Sequence, residues 1–442
     1  MPNSFSKIIF SLKTKILNPR LEELYQKSIT EFNTDDISEL NFKKRQKLFN
    51  HAKEHSAFYK EKYAHLDFVH KGLVSNDEFL KIPSISREEL RSNFDTIKCK
   101  NVKFNDCQKV STSGSTGPPV SVLHDKRHPE TPIRWRILKW WNIEPWENQA
   151  YIFRFQKSFW ERFKNHLIWW PTKRIFLAAA DPSKQDLEKF ISKFNKIQPS
   201  LVQGFVDVVF EFALYLLDNN IKIHAPKVVW VTSAPLFEEQ RVLIQKAFGA
   251  PVCDQYGSTE IRLIAAECPS QKGLHIMQDT VHIEFVDENN QPVPLNCRGK
   301  ILLTDLTNFA FPLIRYEIGD EGKYLEGLCD CGKPLSLMDQ VRGRQALVIK
   351  TPSGLTIKGE HLMAMFDGYM KYFKAIQLKQ LEDYSVCIYF IPRERKTAHE
   401  SVTKMQQSLI RRTRKEIDIN FEETTEIKQV GMKTPLIVSE LK

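Results

Sequence analysis

The stretch KVVWVTSAPLFEEQRVLIQKAFGAPVCDQYGSTE (residues 227–260) sets the fold class. It opens on a short, β-branched apolar run that reads as a strand. LFEEQRVLIQKAF (236–248) then spaces its apolar residues as a helix does. A second short apolar segment leads into Asp254-Gln255-Tyr256-Gly257-Ser258-Thr259-Glu260. Strands that alternate with helices define an α/β domain.

The same alternation extends on both sides. QAYIFRF (149–155), KRIFLAAA (173–180), VHIEFVD (281–287), GKILLTD (299–305) and ALVIK (346–350) read as strands, and DVVFEFALYLLDNN (207–220) as a helix. The polar–apolar alternation near Lys300 adds antiparallel pieces. Before Val110 the chain is polar and helical, in LEELYQKSI (21–29) and in residues 41–66. Ser86 and Glu89 have the capping-box spacing. After Gly343-Arg344, FKAIQLKQ (373–380), YSVCIYFI (384–391), a basic helix at 401–417 and NFEETTEI (420–427) give a ββαβ order. The expected boundaries are a domain at 1–343, with a helical segment to about 105, and a small α+β domain at 344–442.

Composition narrows the class. The 442 residues carry a net charge of +10, 42% hydrophobic and 27% charged residues. That excludes disordered and collagen-like chains and allows two to four domains at roughly 100–200 residues each. No apolar run approaches the roughly 18 residues of a membrane span. The basic N-terminal stretch has only Ile8-Ile9-Phe10 as its longest apolar run, too short for a signal peptide, so a cytoplasmic protein is expected. The positive charge fits nucleic acid, an anionic membrane or a polyphosphate substrate, and is also common in enzymes with none of these as macromolecular partner.

Four segments carry chemistry. Ser111-Thr112-Ser113-Gly114-Ser115-Thr116-Gly117-Pro118-Pro119 offers backbone N–H groups and hydroxyls to an anion. It lacks the Gly-Lys-Ser/Thr ending of a Walker A loop, and its composition alone fits a flexible loop equally well. Asp254–Glu260 combines an aromatic face, a tight turn, two hydroxyls and a carboxylate able to hold Mg²⁺. Arg315-Tyr316-Glu317-Ile318-Gly319-Asp320 and Arg342-Gly343-Arg344 offer an Asp for ribose hydroxyls and Arg for bidentate phosphate contact.

In this order, the segments resemble the adenylate-forming ligases, most closely the branch of phenylacetate–CoA ligases and CapK-type proteins of capsular polysaccharide loci. The resemblance covers about Val110 to Gly359 and, more loosely, the C-terminus. It implies a large multi-layer α/β nucleotide-binding domain followed by the small α+β domain. By resemblance, Ser113, Gly114, Ser115, Thr116 and Gly117 hold the β- and γ-phosphates of ATP. Thr232-Ser233-Ala234-Pro235-Leu236 lines the adenine pocket, where Ser233, Ala234 and Pro235 bind and Tyr256 packs on the base beside Gly257 and Ser258. Thr259 contacts the α-phosphate, Glu260 holds Mg²⁺, and Asp320 and Arg344 fix the ribose and its phosphate side.

Two positions depart from the family pattern. Gln345 stands where the hinge motif usually has Asp, and residue 120 is Val where a Lys often closes the phosphate loop. Lys433, in the approximate match Gly431-Met432-Lys433, is the candidate for the lysine that reaches the reacting oxygens.

The reaction implied is attack of a carboxylate on the α-phosphate of ATP, then transfer of the acyl group to a thiol such as coenzyme A or to an amine. The CapK-like character implies an acceptor on a surface or lipid-linked glycan. An aryl- or acyl-CoA ligase of catabolism is one alternative, and a non-catalytic descendant that keeps the fold as a scaffold is the competing class.

Cys268-x6-His275 and Cys329-x-Cys331 supply three sulfurs and a nitrogen, the donor set of structural Zn²⁺. Some phenylacetate–CoA ligase relatives carry a comparable cluster. Cys99, Cys107, Cys253, Cys297 and Cys387 read as packing residues.

Seven of the eight tryptophans fall between Trp135 and Trp170, among Arg and Lys. Core packing with an acyl-pocket lining, peripheral contact with the anionic inner membrane face, and nucleic-acid stacking all fit this stretch. No nucleic-acid motif accompanies it, and no nucleic-acid partner is expected.

Overall fold

The computed structural model describes the chain except residues 1–3, 35, 74, 112–119, 155–157, 180–181, 237, 342–347, 359–361, 363–368, 370–371, 428–436 and 442. The chain divides into two compact units, one extending to Arg344 and the other containing Gln345–Lys442.

The first unit is built on fourteen strands among the described residues: β1 (Cys107–Ser111), β2 (Ser121–Asp125), β3 (Gln149–Phe153), β4 (Arg174–Ala178), β5 (Leu201–Phe205), β6 (Val228–Thr232), β7 (Val252–Tyr256), β8 (Ala265–Glu267), β9 (Leu274–Ile276), β10 (Val281–Val286), β11 (Gly299–Asp305), β12 (Tyr316–Gly322), β13 (Tyr324–Leu325) and β14 (Leu337–Met338). Nine form one sheet in the order β13-β14-β9-β8-β7-β6-β5-β3-β4. Its β4-β3-β5-β6-β7 half is parallel, and β8, β9, β14 and β13 continue it antiparallel. Four residues in a row are buried in each of β5, β6 and β7, as expected of parallel strands covered on both faces.

The helices Lys184–Ile197, Val206–Asp218 and Glu238–Phe248 are the crossovers that leave β4, β5 and β6. They join as a layer through ring contacts of Phe190 with Phe212 at 5.5 Å and of Phe212 with Phe248 at 5.9 Å. β5 was absent from the sequence expectation because LVQGF carries a glutamine and a glycine that dilute its apolar run.

Two smaller sheets complete the unit. β1 and β2 form an antiparallel hairpin whose register ends at Ser111 opposite Ser121. β10, β11 and β12 form an antiparallel sheet. The N-terminal pattern at 41–66 is two helices, Ile37–His55 and Ala57–Lys62. Ser56 breaks it by leaving helical dihedrals and accepting from the Tyr59 N–H as an N-cap. The capping box of Ser86 and Glu89 is formed.

The second unit holds β15 (Val348–Lys350), β16 (Thr356–Lys358), β17 (Phe373–Gln380), β18 (Val386–Pro392), β19 (Ile419–Glu423) and β20 (Ile437–Ser439). Its main sheet runs β19-β18-β17-β20. β20 adds a final parallel strand that the ββαβ expectation lacked. The helix expected at 401–417 spans Arg395–Arg412. Its first turns carry almost no apolar residue, which hid its start. Arg414 and Lys415 take positive φ angles, which end it. It buries Ala398, Val402, Met405 and Leu409, one face at helical spacing.

A buried ion pair anchors the N-terminal helices. Arg136, on the helix Thr131–Trp140, grips the Asp279 carboxylate through two bonds of 2.7 and 2.9 Å and also donates to the Ser28 carbonyl. Both charged side chains are at most 2% exposed. Removing one partner leaves the other charge buried, so Arg136→Met should cost about 3–5 kcal/mol. Joint Arg136→Met and Asp279→Leu replacement should recover much of that loss; thermal melting of the three variants checks this order.

Candidate active site

The loop after β6 and the turn after β7 leave neighbouring carboxyl ends of the parallel sheet, where open α/β sheets bind ligands. Thr232 Oγ1 donates to the Gln255 carbonyl at 3.0 Å and joins the two strand ends. Ser233 then takes a φ of +81°, which turns Ser233-Ala234-Pro235 out of the sheet. Gln340 Nε2 holds the far end of this loop at the Leu236 carbonyl, 2.7 Å away.

The turn after β7 closes on itself. Ser258 Oγ accepts from the Ile261 N–H at 2.9 Å, and the Ser258 N–H donates back to the Ile261 carbonyl at 2.9 Å. Only glycine fits at 257, because a Cβ there would lie 1.7 Å from the Arg262 carbonyl oxygen. The turn leaves Thr259 exposed and buries Glu260 to 3% exposure.

The three-stranded sheet meets this turn through β12. Tyr316 O–H donates to Glu260 Oε1 at 3.1 Å, and Tyr256 O–H donates to Asp320 Oδ2 at 2.9 Å. A bulge aims Asp320. Between the pairs Lys300–Glu321 and Leu302–Glu317, Ile301 alone faces Ile318, Gly319 and Asp320. Gly319 supplies the left-handed residue of that bulge at φ +89°. Asp320 therefore lies within β12.

Arg315, at the head of the same motif, faces inward. It is 2% exposed and bonded to Glu284 at 3.1–3.2 Å and to the carbonyls of Leu80, Ile82 and Asn290. It is an internal support, with no face left for a phosphate. The phosphate-loop residues Ser113, Gly114, Ser115, Thr116 and Gly117, together with Arg344 and Lys433, lie outside the described residues.

Sequence reasoning missed Tyr316 as the partner of Glu260, although it sits in a quoted motif. It also missed His124, whose Nε2 bonds the Thr259 carbonyl at 2.8 Å across 135 positions. No local signal marks such a contact.

Behind the turn, Arg241 grips Glu267 through bonds of 2.8 and 3.0 Å, and Glu267 accepts from the Asp254 N–H at 2.8 Å. Burial, then the Glu267 charge, pushes the Asp254 carboxyl up to about 8.

The same β7–β8 hairpin leads into the cysteine cluster. Cys268 follows β8, His275 lies in β9, and Cys329 and Cys331 precede β14. Their four ligand atoms lie within 4.8 Å of one another. Cys268 and Cys329 sulfurs are 3.7 Å apart, and Cys331 Sγ is 3.3 Å from His275 Nε2. A tetrahedron with metal–sulfur bonds of about 2.3 Å has edges of about 3.8 Å, so the donor set fits Zn²⁺ in kind and in size. Gly332, at φ +73°, closes the turn by donating to the Cys329 carbonyl. Cys99, Cys107 and Cys253 are buried, whereas Cys297 is exposed and does not pack as expected.

No protein-family model matches the chain. The chain is 24% identical over 345 residues to Protein CapK of Staphylococcus aureus, covering 72% of this chain and 70% of that protein. It is 23% identical over 372 residues to a phenylacetate-coenzyme A ligase of Escherichia coli K12, covering 78% and 81%. Among solved structures, a 2-hydroxyisobutyryl-CoA ligase in complex with 2-HIB-AMP and CoA superposes with a TM-score of 0.63. That match has 16% identity and covers 91% of this chain and 89% of the other; it speaks to the fold. The sequence likeness to these relatives, together with the shared fold, supports placing the chain in the adenylate-forming ligase superfamily.

His124 gives the motif turn a pH dependence. Burial, then the positive Arg262, pushes its pKa down to about 4. Unfolded, the same imidazole titrates near 6.5. The unfolded chain therefore takes up the proton first, and His124 costs stability as pH falls from about 6.5 towards 4, up to about 3 kcal/mol. Buried His282, pushed down in the same direction, adds to the loss. His124→Gln should flatten the fall in melting temperature between about pH 6.5 and 4.5 relative to the parent chain.

Proposed function

We propose that this chain activates a carboxylic acid with ATP and passes the acyl group from the adenylate to a second nucleophile. The observation that carries the reading is the Tyr256–Asp320 bond, which brings together two motif residues 64 positions apart at the carboxyl edge of the sheet. In this reading Tyr256 packs on adenine with Ser233, Ala234 and Pro235 beside it, and Asp320 accepts from the ribose. Thr259, held through its carbonyl by His124, offers its exposed hydroxyl to the α-phosphate.

Glu260 is a hard oxygen donor fixed by Tyr316, which suits Mg²⁺. The ion, when bound, neutralises charge on the phosphates. The carboxylate oxygen attacks the α-phosphorus, the bond to the bridging oxygen breaks, and pyrophosphate leaves. Catalysis of this step is positioning and charge neutralisation, with no protein nucleophile. The acceptor thiol then attacks the acyl carbon and AMP leaves. Coenzyme A is the acceptor in this reading, supported by the similarity to phenylacetate–CoA ligases. An amine or a surface-glycan acceptor in capsule synthesis is the second reading, supported by the similarity to CapK.

Pyrophosphate release with Mg²⁺, ATP and a panel of carboxylic acids tests the proposal. Acid-dependent release is expected, lowered about 100-fold or more by Glu260→Gln and about tenfold by Tyr316→Phe. A folded chain that releases no pyrophosphate with any acid would be a scaffold. Adding coenzyme A or amines to the active mixture separates the two acceptors.

The reading includes one structural Zn²⁺ held by Cys268, His275, Cys329 and Cys331. Elemental analysis should find about one zinc per chain, and Cys329→Ser should lose it together with thermal stability. Native protein free of zinc would end this part of the reading.

A further inference from the structure

The tryptophan-rich stretch does not act as one surface. Trp135 and Trp141 are buried, whereas Trp160 is 68% and Trp170 is 48% exposed. Trp170 meets a segment far away in sequence, the helix Ser4–Leu17, with its ring 6.2 Å from that of Phe5. Lys13 Nζ donates to the carbonyls of Leu167 and Trp170, at 2.6 and 2.9 Å, and so ties that helix to the carbonyl end of the helix Phe159–Trp169. Phe10 holds the inner side, with its ring 5.6 Å from Trp135 and 5.9 Å from Trp146.

The outer sides are apolar. Ile8, Leu12 and Ile16 on the first helix and Trp160, Phe163 and Leu167 on the second are 47–76% exposed. Of the thirteen large apolar side chains exposed among the described residues, ten fall at positions 5–17 and 160–170. Scattered exposed apolar residues need no explanation, but a concentration of this kind marks a contact surface.

We propose that these paired helices dock the chain on an anionic lipid bilayer. The charge selects the occupant. Ser4–Leu17 carries Lys7, Lys13 and Lys15 and no carboxylate, and Phe159–Trp169 balances its single Glu161 with Lys164. An apolar side chain row flanked by cations suits acyl chains below and lipid phosphates beside it, with tryptophan at headgroup depth. A second copy of this chain would set like charges against each other. Among the described residues no helix is long and apolar enough to cross a membrane, so the contact is in-plane.

Flotation of the full chain with vesicles of phosphatidylglycerol and phosphatidylethanolamine, against phosphatidylcholine alone, tests the proposal. Binding to the anionic vesicles is expected, weakened by salt. The triple change Ile8→Ser, Leu12→Ser, Ile16→Ser and, separately, the double change Trp160→Ser, Leu167→Ser should each weaken it by at least about tenfold. Melting temperature reports whether each variant is folded, and pyrophosphate release in solution should be unchanged. The vesicle readout stands whether or not the chain is catalytic. No binding to anionic vesicles, binding unaffected by both folded variants, or a lipid-free dimer that the same changes abolish would each overturn it.

Discussion

The buried guanidinium of Arg315 holds the first unit in register. It occupies a left-handed backbone position, at φ +52°, and bonds Glu284 of β10 and three backbone carbonyls from elsewhere in the chain. Its own N–H donates to Thr304 of β11. A charge buried this deeply is tolerable only when it is paired and its donors are satisfied, and Glu284 with the carbonyls meets that condition. The consequence is positional. Arg315 immediately precedes β12, so fixing it fixes Tyr316 at one end of that strand and constrains the bulge that carries Asp320.

From there the constraint passes to the nine-stranded sheet. Tyr316 and Asp320 reach Glu260 and Tyr256, which flank the turn after β7. The same turn is braced from behind by the Arg241–Glu267 pair and from the side by His124. Glu267 is followed directly by Cys268, so the hairpin that shapes this edge of the sheet also presents the first residue of the cysteine cluster. Preorganisation of this kind keeps side chains in place before a substrate arrives, which is how positioning contributes to catalysis.

Much of this was legible in the sequence. Short apolar runs bounded by turn residues marked β3, β4, β6, β10 and β11, because strands that bury at least one face are rich in β-branched and aromatic residues. Cys268, His275, Cys329 and Cys331 were legible as a candidate donor set because two close pairs of sulfur and imidazole groups match what structural zinc takes, and the fold brings the four together. β5 and β20 were not, since a five-residue run with a Gln and a Gly, and a three-residue strand, leave too weak a pattern. The helix Arg395–Arg412 was found but misplaced, because Ala398 is the only apolar residue before Val402 to mark its period.

The sequence by itself determined the element types, their order and the chemical inventory of the site, because periodicity and donor chemistry are local properties of the chain. Tertiary structure alone decided which donor meets which acceptor. It turned Arg315 inward, gave Glu260 to Tyr316, set His124 under Thr259, and joined the N-terminal helix to Leu167 and Trp170. Those outcomes depend on contacts across 25 to 235 positions of chain. Spacing along a sequence does not encode them; the packing of sheets and helices does.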